Sequence, residues 1–375
     1  MSDINAAVIT TRQKKLAQAI SNAGLDAVAL NPSPSLTYLT GLHFHLSERP
    51  TVCLFRTDGA PILVLAELES AKARDLPYPL EYFTYGEEPS EWVNAFKQAA
   101  QAAGLSRAQI GVEDRNFRLL ESRILESALP EAGFISADDV TSSLRLYKDD
   151  SEIAAMQKAV DIAEAALKAV LPLVKIGMTE KELASELTMQ IQRHGSDPQL
   201  PFFPIIASGP NSANPHAFPT QRKLAAGEFV VIDYGASHQG YFSDITRTFA
   251  VGEASDKQRL IHETVHQSNQ AGIVAAKPGV ACSAVDQAAR DVIEQAGYGQ
   301  YFIHRTGHGL GMEGHEAPYM RAGNPMLLET GMTFTVEPGI YLPGQDGVRI
   351  EDNVVITADG ARSLTSLPRE LQIIG

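Results

Sequence analysis

The sequence predicts an α+β protein of two domains, a smaller α/β domain over residues 1–142 and a larger domain over residues 143–375. Helix-like and strand-like patterns alternate through the first part of the chain. The second part consists of two similar halves at an offset of about one hundred residues, which indicates a tandem duplication. Acidic residues stand at matching places in the two halves, which points to a shared site.

The composition is that of an acidic globular chain, with 44% hydrophobic and 20% charged residues. A net charge of -14 without a basic cluster argues against nucleic acid and anionic membrane as partners. Cys53 and Cys282 are too few for a disulfide framework or a cysteine zinc site, so we expect buried thiols in a reducing compartment. The first residues lack a secretion signal and no apolar run could span a bilayer, so the expected location is cytoplasmic.

The first domain begins with a helix-like pattern over residues 12–23, which Gly24 stops, and a short apolar strand ends near Leu30. The turn 56–59 separates the two strands of a predicted hairpin. Further helices are predicted over Ala66–Arg74, Glu91–Ala103 and Phe117–Ser127, with a strand over 109–113. No catalytic cluster occurs here, so we interpret this part as a scaffold, recognition or oligomerisation domain.

One loop of the first domain, residues 43–50, combines polar and aromatic side chains. It carries His43, His45, Glu48 and Arg49 beside Phe44 and ends in Pro50. Such a loop is suited to line a pocket, and a solvated turn fits the same composition equally well.

The larger domain opens with acids before Ile153, which predict a capped helix that runs to about residue 171. A Lys-x-Gly signal then occurs twice, at Lys175 and at Lys277. At an offset of 102 it pairs Gly177 with Gly279 and Gly195 with Gly297. At an offset of 104 a later stretch pairs Gly227 with Gly331, Asp233 with Glu337 and Gly235 with Gly339. Matches kept in order predict a duplicated α/β unit.

The stretch from His304 to Glu316 holds three histidines, four glycines and two acids in thirteen residues. The glycines allow close backbone approach and disfavour a long helix, so we expect the imidazoles of His304, His308 and His315 to project from a tight turn. The metalloprotease helix motif HExxH is absent. Any further metal ligands must therefore come from elsewhere in the chain.

Each half of the larger domain ends in two strands that deliver two carboxylates. These are Asp233 and Asp244 in the first half, and Glu337 and Glu351 in the second. If the halves pack about a pseudo-two-fold axis, four acids share one cavity, where their repulsion requires cations or protons. Four carboxylates and one imidazole suit two divalent ions such as Mn, Co, Zn or Fe, about 3.5 to 4 Å apart. Water between two such ions is a hydroxide nucleophile near neutral pH.

The motifs IDYG, SDITRT, HxxxHGLGxxxHE, VEPGIY and RIEDN, in this order, resemble the catalytic half of the creatinase/prolidase/aminopeptidase P metallopeptidases. The resemblance covers roughly residues 145–375 and implies the pita-bread fold, with a creatinase-type domain before it. It implies that Asp233 holds one metal, that His308 and Glu337 hold the other, and that Asp244 and Glu351 bridge both. Mn is the favoured ion, with Co or Zn as alternatives.

The same resemblance implies roles for the remaining candidate residues. Glu337 would relay the proton of the nucleophilic water, and His315 would contact the scissile group. The residues His216 and His304 match substrate-side histidines, while Tyr341 and Arg349 match positions that orient the carboxylate ligands and the substrate. Arg349 and the 43–49 loop are the visible candidates for binding a free substrate carboxylate.

The resemblance and the chain length favour an Xaa-Pro dipeptidase that forms a homodimer, with a small proline-containing peptide as substrate. The alternative within the class is an Xaa-Pro aminopeptidase that acts on longer peptides. A creatine-type or ectoine-type amide hydrolase fits less well because all five metal-ligand positions are filled, and Val231 stands where a sulfoniopropionate lyase would carry another acid. A metal-free binding module on this fold is the remaining class.

Overall fold

The computed structural model describes residues 5–375, which divide into two compact units. Unit one ends at Arg145 and unit two begins at Leu146. The domain boundary expected from the sequence, between residues 142 and 143, lies inside the last helix of unit one. Neither glycine nor proline occurs between residues 138 and 150, so the sequence has no break there to mark the place. We propose the end of this helix as the domain boundary.

Unit one is an α/β sandwich around one six-stranded sheet. Its helices are α1 (Ala6–Asn22), α2 (Pro34–Thr40), α3 (Pro89–Ala103), α4 (Leu119–Ala128) and α5 (Asp138–Arg145). Its strands are β1 (Ala27–Leu30), β2 (Val52–Arg56), β3 (Ile62–Ala66), β4 (Glu81–Tyr85), β5 (Gln109–Val112) and β6 (Gly133–Ser136). The strand order is β4-β3-β2-β1-β5-β6, and the pairs β1–β2 and β2–β3 are antiparallel while the other neighbours are parallel.

The structure confirms the β2–β3 hairpin and the helix α3, and it corrects three other predictions for unit one. Helix α1 begins earlier than predicted because Asn5 caps it through its side chain. The predicted helix 66–74 is a 3-10 helix, Glu67–Lys72. Helix α2 was missed, although Ser33 caps its start and Gly41 ends it in the left-handed conformation. At seven residues it is too short for a helical period to stand out.

The loop over residues 43–50 is held against unit one at several points. The Nζ of Lys72 donates to the carbonyl oxygen of His43 at 3.2 Å, and Arg118 Nη1 donates to the carbonyl oxygen of Ser47 at 2.6 Å. Arg49 forms an ion pair with Glu87 at 2.8 Å. This arginine, which the sequence offered as a substrate-binding cation, therefore has a carboxylate partner within its own unit.

Unit two contains the helices α6 (Asp150–Val170), α7 (Glu180–Arg193), α8 (Asp256–Ala275) and α9 (Cys282–Gln295). Its strands are β7 (Ile205–Ser208), β8 (Phe229–Tyr234), β9 (Ser237–His238), β10 (Tyr241–Phe242), β11 (Ile245–Val251), β12 (Gly307–Gly309), β13 (Glu316–Met320), β14 (Thr333–Val336), β15 (Gly339–Tyr341), β16 (Gly347–Arg349), β17 (Asp352–Thr357), β18 (Gly360–Ser363) and β19 (Ile373–Ile374). The predicted helix start is confirmed, since Asp149 and Glu152 form a capping box at α6.

The duplication predicted from the sequence is visible in the hydrogen bonds of unit two. The N–H of Gly177 donates to Leu224 and that of Gly279 to Leu328, both at 2.8 Å. Isolated bridges pair Thr179 with Lys223 in the first repeat and Ala281 with Leu327 in the second, at the same two offsets. Each repeat thus supplies two helices and one antiparallel strand pair, β8 with β11 in the first repeat and β14 with β17 in the second.

Two sheets carry the strands that end at the candidate site. The first repeat supplies β11, β8 and β7 of the sheet β19-β11-β8-β7, whose edge strand β19 comes from the end of the chain, and the second supplies β13-β12-β14-β17-β18. An isolated antiparallel bridge between Thr246 of β11 and Glu351, just before β17, joins the repeats. Helices α6 and α7 cover the first sheet through fully buried side chains such as Leu167 and Leu187, each worth roughly 1.5–3 kcal/mol of apolar burial.

No helix in the described residues, 5–375, is both long and apolar enough to cross a membrane. Cys53 and Cys282 are buried free thiols, as the sequence predicts. Burial raises the pKa of Cys282 to about 11, so this thiol stays protonated and unreactive near neutral pH.

Candidate metal centre

A cavity of about 440 Å³ in unit two is lined by nine of the ten side chains that the sequence singled out. They are His216, Asp233, Asp244, His304, His308, His315, Glu337, Arg349 and Glu351. The tenth, Tyr341, is buried and hydrogen-bonds to two of them. A larger cavity of about 530 Å³, beside Lys257 and Asp346, has no histidine in its lining. The smaller cavity is therefore the candidate site, because it holds the histidines together with the carboxylates.

The strand register explains why the four acids converge. Asp233 pairs with Thr246 across β8 and β11, and Thr246 in turn bridges to Glu351 of the other repeat. Asp244 precedes β11, where its main-chain N–H donates to Asn353 Oδ1 at 3.1 Å and the Asn353 side chain donates back to its carbonyl oxygen. The acids at these strand ends are thus held at the join between the two sheets.

His308 lies on the short strand β12 between two glycines, and this corrects the expectation of a tight turn. A Cβ at Gly307 would stand 1.8 Å from the carbonyl oxygen of Thr335, and a Cβ at Gly309 would stand 2.2 Å from that of Ala317. The glycines are therefore needed because neighbouring strands approach β12 closely on both sides. Only the side chain of His308 projects from this strand.

The tautomer of His308 follows from its hydrogen bond. Its Nδ1 lies 3.1 Å from the carbonyl oxygen of Gly309, which can only accept, so Nδ1 carries the proton. The Nε2 atom lies 3.3 Å from Glu337 Oε1 and 3.6 Å from Asp244 Oδ2. Burial, followed by the nearby His315, lowers the pKa of His308 well below its usual range. A neutral imidazole therefore presents a lone pair to two carboxylates.

Burial also disfavours the charged forms of the acids. It raises the pKa of Asp233, and it raises those of Asp244 and Glu351 well above the usual range, with other carboxylates of the cluster adding to the effect. Burial raises the pKa of Glu337 to about 7. Without cations, these groups would have to bind protons near neutral pH.

The donor set fits divalent cations. Within the described part of the chain, Asp233 Oδ1 and Glu351 Oε1 are buried and receive no hydrogen bond, although the other oxygen of each carboxylate does. One ligand atom from each of Asp244, His308 and Glu351 lies within 4.8 Å of the others. Bare carboxylate oxygens beside an imidazole lone pair are ligands for borderline-hard ions such as Mn²⁺, Co²⁺ and Zn²⁺.

Arg349 is 3% exposed, and four of its five N–H groups are hydrogen-bonded within the protein. It donates to Asp233 Oδ2 at 2.5 Å, to Thr246 Oγ1 at 3.1 Å and to the hydroxyl of Tyr341 at 2.8 Å. A fourth bond reaches the carbonyl oxygen of Pro215 at 3.3 Å. These contacts fit the expected orientation of a carboxylate ligand. The ion pair with Asp233 leaves Arg349 less available for the other expected role, binding the substrate carboxylate.

His304 also has both ring nitrogens engaged. Its Nδ1 donates to the carbonyl oxygen of Arg305 at 2.7 Å, so its Nε2 accepts the hydroxyl proton of Tyr341 at 2.9 Å. Burial, followed by the charge of Arg349, lowers the pKa of His304 to about 4. The sequence suggested a donor to the substrate, and the neutral ring found here has no free N–H. Its contacts instead place Tyr341 and Arg349.

His315 has the opposite arrangement. Arg305 Nη2 donates to its Nδ1 at 2.9 Å, so Nε2 carries the proton and is available as a donor. The ring stacks on His308 with centroids 3.7 Å apart, and burial lowers the pKa of His315 to about 4. Sequence reasoning missed Arg305, a cation of the cavity lining whose guanidinium lies over the Tyr319 ring. The sequence feature that could have pointed to Arg305 is its position directly after His304.

The remaining wall of the cavity is aromatic and apolar. It includes Phe203, which is 58% exposed, and Phe218, which is 80% exposed, beside the exposed His216. Both rings lie at the open side of a cavity whose other side is formed by charged groups. An apolar wall opposite a ligand cluster suits a small substrate with one polar and one apolar end.

Both parts of the chain match models of known protein families. Residues 154–358 match metallopeptidase family M24, and residues 12–147 match the creatinase/prolidase N-terminal domain. An Xaa-Pro dipeptidase from Lactobacillus helveticus is 36% identical over 367 residues, which is 96% of this chain and 98% of that protein.

Solved structures of similar proteins superpose on nearly the whole chain. A prolidase from Thermococcus sibiricus superposes with a TM-score of 0.92 at 32% identity, over 99% of this chain and 100% of that one. A dipeptidase from Pyrococcus horikoshii gives 0.91 at 35% identity, over 97% and 100%. The chain therefore belongs to metallopeptidase family M24, with a creatinase-type N-terminal domain before a pita-bread catalytic domain.

Proposed function

We propose that this metallopeptidase hydrolyses the peptide bond that precedes proline, with Xaa-Pro dipeptides as its main substrates. The observation that carries the proposal is the convergence of four carboxylates and His308 Nε2 on one cavity that also has an aromatic wall. The names of the similar Lactobacillus and Thermococcus proteins support the substrate class.

We assign two divalent ions, with Mn favoured, to Asp233, Asp244, His308, Glu337 and Glu351. Such ions polarise a peptide carbonyl and lower the pKa of bound water towards neutrality. Glu337, whose Oε1 lies 3.3 Å from His308 Nε2 in the cavity lining, would take the proton of the nucleophilic water and relay it. His315 donates its Nε2–H to the oxygen of the scissile carbonyl as negative charge develops there.

The outer part of the cavity would hold the two ends of the substrate. Arg305, which reaches the lining beside His315, is the cation that suits a free carboxylate, because the charge of Arg349 is already paired with Asp233. The rings of Phe203 and Phe218 offer an apolar surface to the proline side. A dipeptide has one carboxylate close to its proline ring, so both contacts can be made together.

Two further assignments complete the proposal. The protein forms a homodimer through unit one, in keeping with the resemblance of its sequence to this family. It works in the cytoplasm, a reducing compartment in which two buried free thiols are expected.

A hydrolysis panel tests the proposed function. Purified protein loaded with Mn, Co or Zn is given Xaa-Pro dipeptides, tripeptides with proline second, and dipeptides without proline. We expect the Xaa-Pro dipeptides to give the highest kcat/KM, and chelation to abolish the activity. Faster cleavage of the tripeptides would assign an aminopeptidase instead, and equal cleavage of proline-free dipeptides would overturn the proline specificity.

A further inference from the structure

A single buried carboxylate, Glu180, fastens both ends of the segment 208–220 that carries His216. Glu180 is the first residue of α7 and is 0% exposed. Its side chain lies away from the cavity lining. Nothing in the sequence motifs or in the proposed chemistry uses it.

The carboxylate of Glu180 accepts six hydrogen bonds, three at each oxygen. Oε1 accepts from the N–H of Ser208 at 2.8 Å, from its hydroxyl at 2.8 Å and from Asn211 Nδ2 at 3.1 Å. Oε2 accepts from Asn211 Nδ2 at 3.1 Å, from the N–H of Thr220 at 3.0 Å and from its hydroxyl at 2.6 Å. These donors come from both ends of the segment and from its 3-10 turn.

The segment held in this way forms part of the wall of the site. Pro215, His216 and Phe218 line the cavity. The carbonyl oxygen of Pro215 accepts a hydrogen bond from Arg349, and Ser212 Oγ accepts one from the N–H of Gly347 at 2.7 Å. His216 itself is exposed, and its N–H bonds only locally, to Asn214 Oδ1 at 3.2 Å. The fastened ends, together with the bonds at Ser212 and Pro215, therefore hold the part of the segment that carries His216.

The second repeat uses a buried carboxylate in the same way. Asp286 on α9 is 1% exposed and accepts from the N–H and the hydroxyl of Thr306 at 3.0 and 2.8 Å. It also pairs with Arg290, which donates to the carbonyl oxygen of His304 at 2.9 Å. In each repeat, an acid on the second helix thus fixes a segment that carries a histidine of the cavity.

We propose that Glu180 is a positioning residue for the peptidase reaction, acting through the segment 208–220 to hold His216 against the substrate. The proposal rests on the proposed function only for the choice of substrate. Carboxylate oxygens that accept six bonds cannot be replaced by an amide without setting an N–H₂ group against existing donors. Glu180→Gln is therefore nearly isosteric and yet breaks one end of the clamp.

The test is a double-mutant cycle between Glu180→Gln and His216→Ala, with kcat and KM measured on the best Xaa-Pro dipeptide. We expect Glu180→Gln alone to lower kcat/KM by roughly 10-fold or more with metal content unchanged. In the His216→Ala background the same change should cost less than about two-fold, because its effect is already lost. Undiminished loss in that background, or loss of metal, would overturn the proposal.

Two further variants serve as a control and as a substitute for Glu180→Gln. Glu182→Gln makes the same change two residues along α7, where Glu182 serves the helix cap at Thr179, and it should retain activity within about two-fold. Thr220→Val removes the 2.6 Å hydroxyl donor to Glu180, together with the oxygen that accepts from the N–H of Arg222 at 3.1 Å and from Asn211 Nδ2 at 3.4 Å, and it serves if Glu180→Gln fails to fold. It should show a smaller loss with the same non-additivity, and an additive loss would count against the clamp.

Hydrogen exchange separates this inference from the proposed function. In Glu180→Gln, the amides of residues 208–220 should exchange faster while those of the strands β8 and β11 stay protected. Unchanged exchange in this segment would overturn the inference, whatever the substrate. A wild-type protein that cleaves no Xaa-Pro peptide would instead overturn the proposed function and leave the exchange result standing.

Discussion

Thr246 and Glu351 exchange two hydrogen bonds across the join between the two repeats. The hydroxyl of Thr246 donates to Glu351 Oε2 at 2.7 Å, and the N–H of Glu351 donates to the carbonyl oxygen of Thr246 at 3.1 Å. The pair fixes both the backbone and one carboxylate oxygen of Glu351. The other oxygen, Oε1, remains without a donor in the described chain and is the atom offered to a cation.

Thr246→Val should weaken metal binding by roughly 10-fold or more while the fold is kept, because the orientation of the Glu351 carboxylate is lost. Competition with a chromogenic chelator measures the affinity. Thr248→Val is a matched control, since that hydroxyl bonds only to the main chain of Arg349. Equal weakening in both variants would mean that general loosening of β11, rather than carboxylate orientation, is responsible.

Asp244→Ala or Glu351→Ala should abolish activity and lower bound metal below one equivalent, because we assign both acids as bridging ligands. Elemental analysis of the purified variants gives the metal content. The exposed Asp161, replaced by Ala, provides a control for loss of a carboxylate elsewhere in unit two. If Asp244→Ala still binds two ions, the bridging assignment is wrong.

His315→Ala should retain its metals and lose turnover by roughly 100-fold or more, as expected when a transition-state donor is removed. His315→Phe keeps a ring stacked on His308 and removes the N–H, so it separates donation from packing. We expect it to be as slow as the alanine variant. Metal loss in either variant would instead make His315 a ligand.

Glu337 gives the metal-free protein a defined pH dependence. Its pKa is about 7 when folded and 4.5 as the ordinary value, so between these pH values the folded chain binds more protons than the unfolded chain. Stability from the protonated carboxyl is therefore present at low pH and is lost as pH rises from about 4.5 to about 7. His304 and His315 act oppositely, since their pKa of about 4 makes stability rise with pH through that range.

The contribution of Glu337 can be isolated with Glu337→Gln, which mimics the protonated form at every pH. In chelated protein, the free energy of unfolding of the variant should equal that of the wild type near pH 4.5 and exceed it above pH 7, by urea denaturation. With metal bound the order should reverse, because a ligand is missing. A difference that does not vary with pH would contradict the raised pKa.

The composition of the loop 43–50 leads us to propose that it acts as a lid on the substrate pocket in a homodimer. Replacing residues 43–49 by a glycine linker should keep metal content and fold while tripeptides with proline second are cut relatively better, because a pocket without its lid admits longer chains. Comparison of kcat/KM for matched dipeptides and tripeptides gives the ratio. An unchanged ratio, or a fully active monomer in light scattering, would remove the case for a dimeric lid.

Much of the site could be predicted because its residues sit at strand ends, where pattern and position coincide. Asp233 and Glu337 follow apolar runs that can only be buried strands, and the spacing of the two repeats is enough to pair them. The glycines around His308 indicate close backbone approach, but whether in a turn or in β12 depends on which strands lie beside it. That is a long-range relationship, and the sequence does not state it.

Other features escaped prediction for the same reason. Arg349 and Arg305 are both arginines near the ligand motifs, and only the folded chain shows that Arg349 is paired with Asp233 while Arg305 lies beside His315. Glu180 resembles any helix N-terminal acid in the sequence, since its partners Ser208 and Thr220 are far along the chain. When hydrogen-bond partners are far apart in the sequence and meet only through tertiary packing, no short stretch of the sequence shows a pattern that reveals them.

The hydrogen bonds from Arg349 to Tyr341 and from Tyr341 to His304 run in one direction. A guanidinium keeps its protons, and the last proton of the series goes to a main-chain carbonyl, which has no use for another. The series therefore behaves as a rigid strut and not as a proton wire. Any proton set free when the substrate is cut has no exit along it, so the proton relay that we propose falls to Glu337, which lines the cavity.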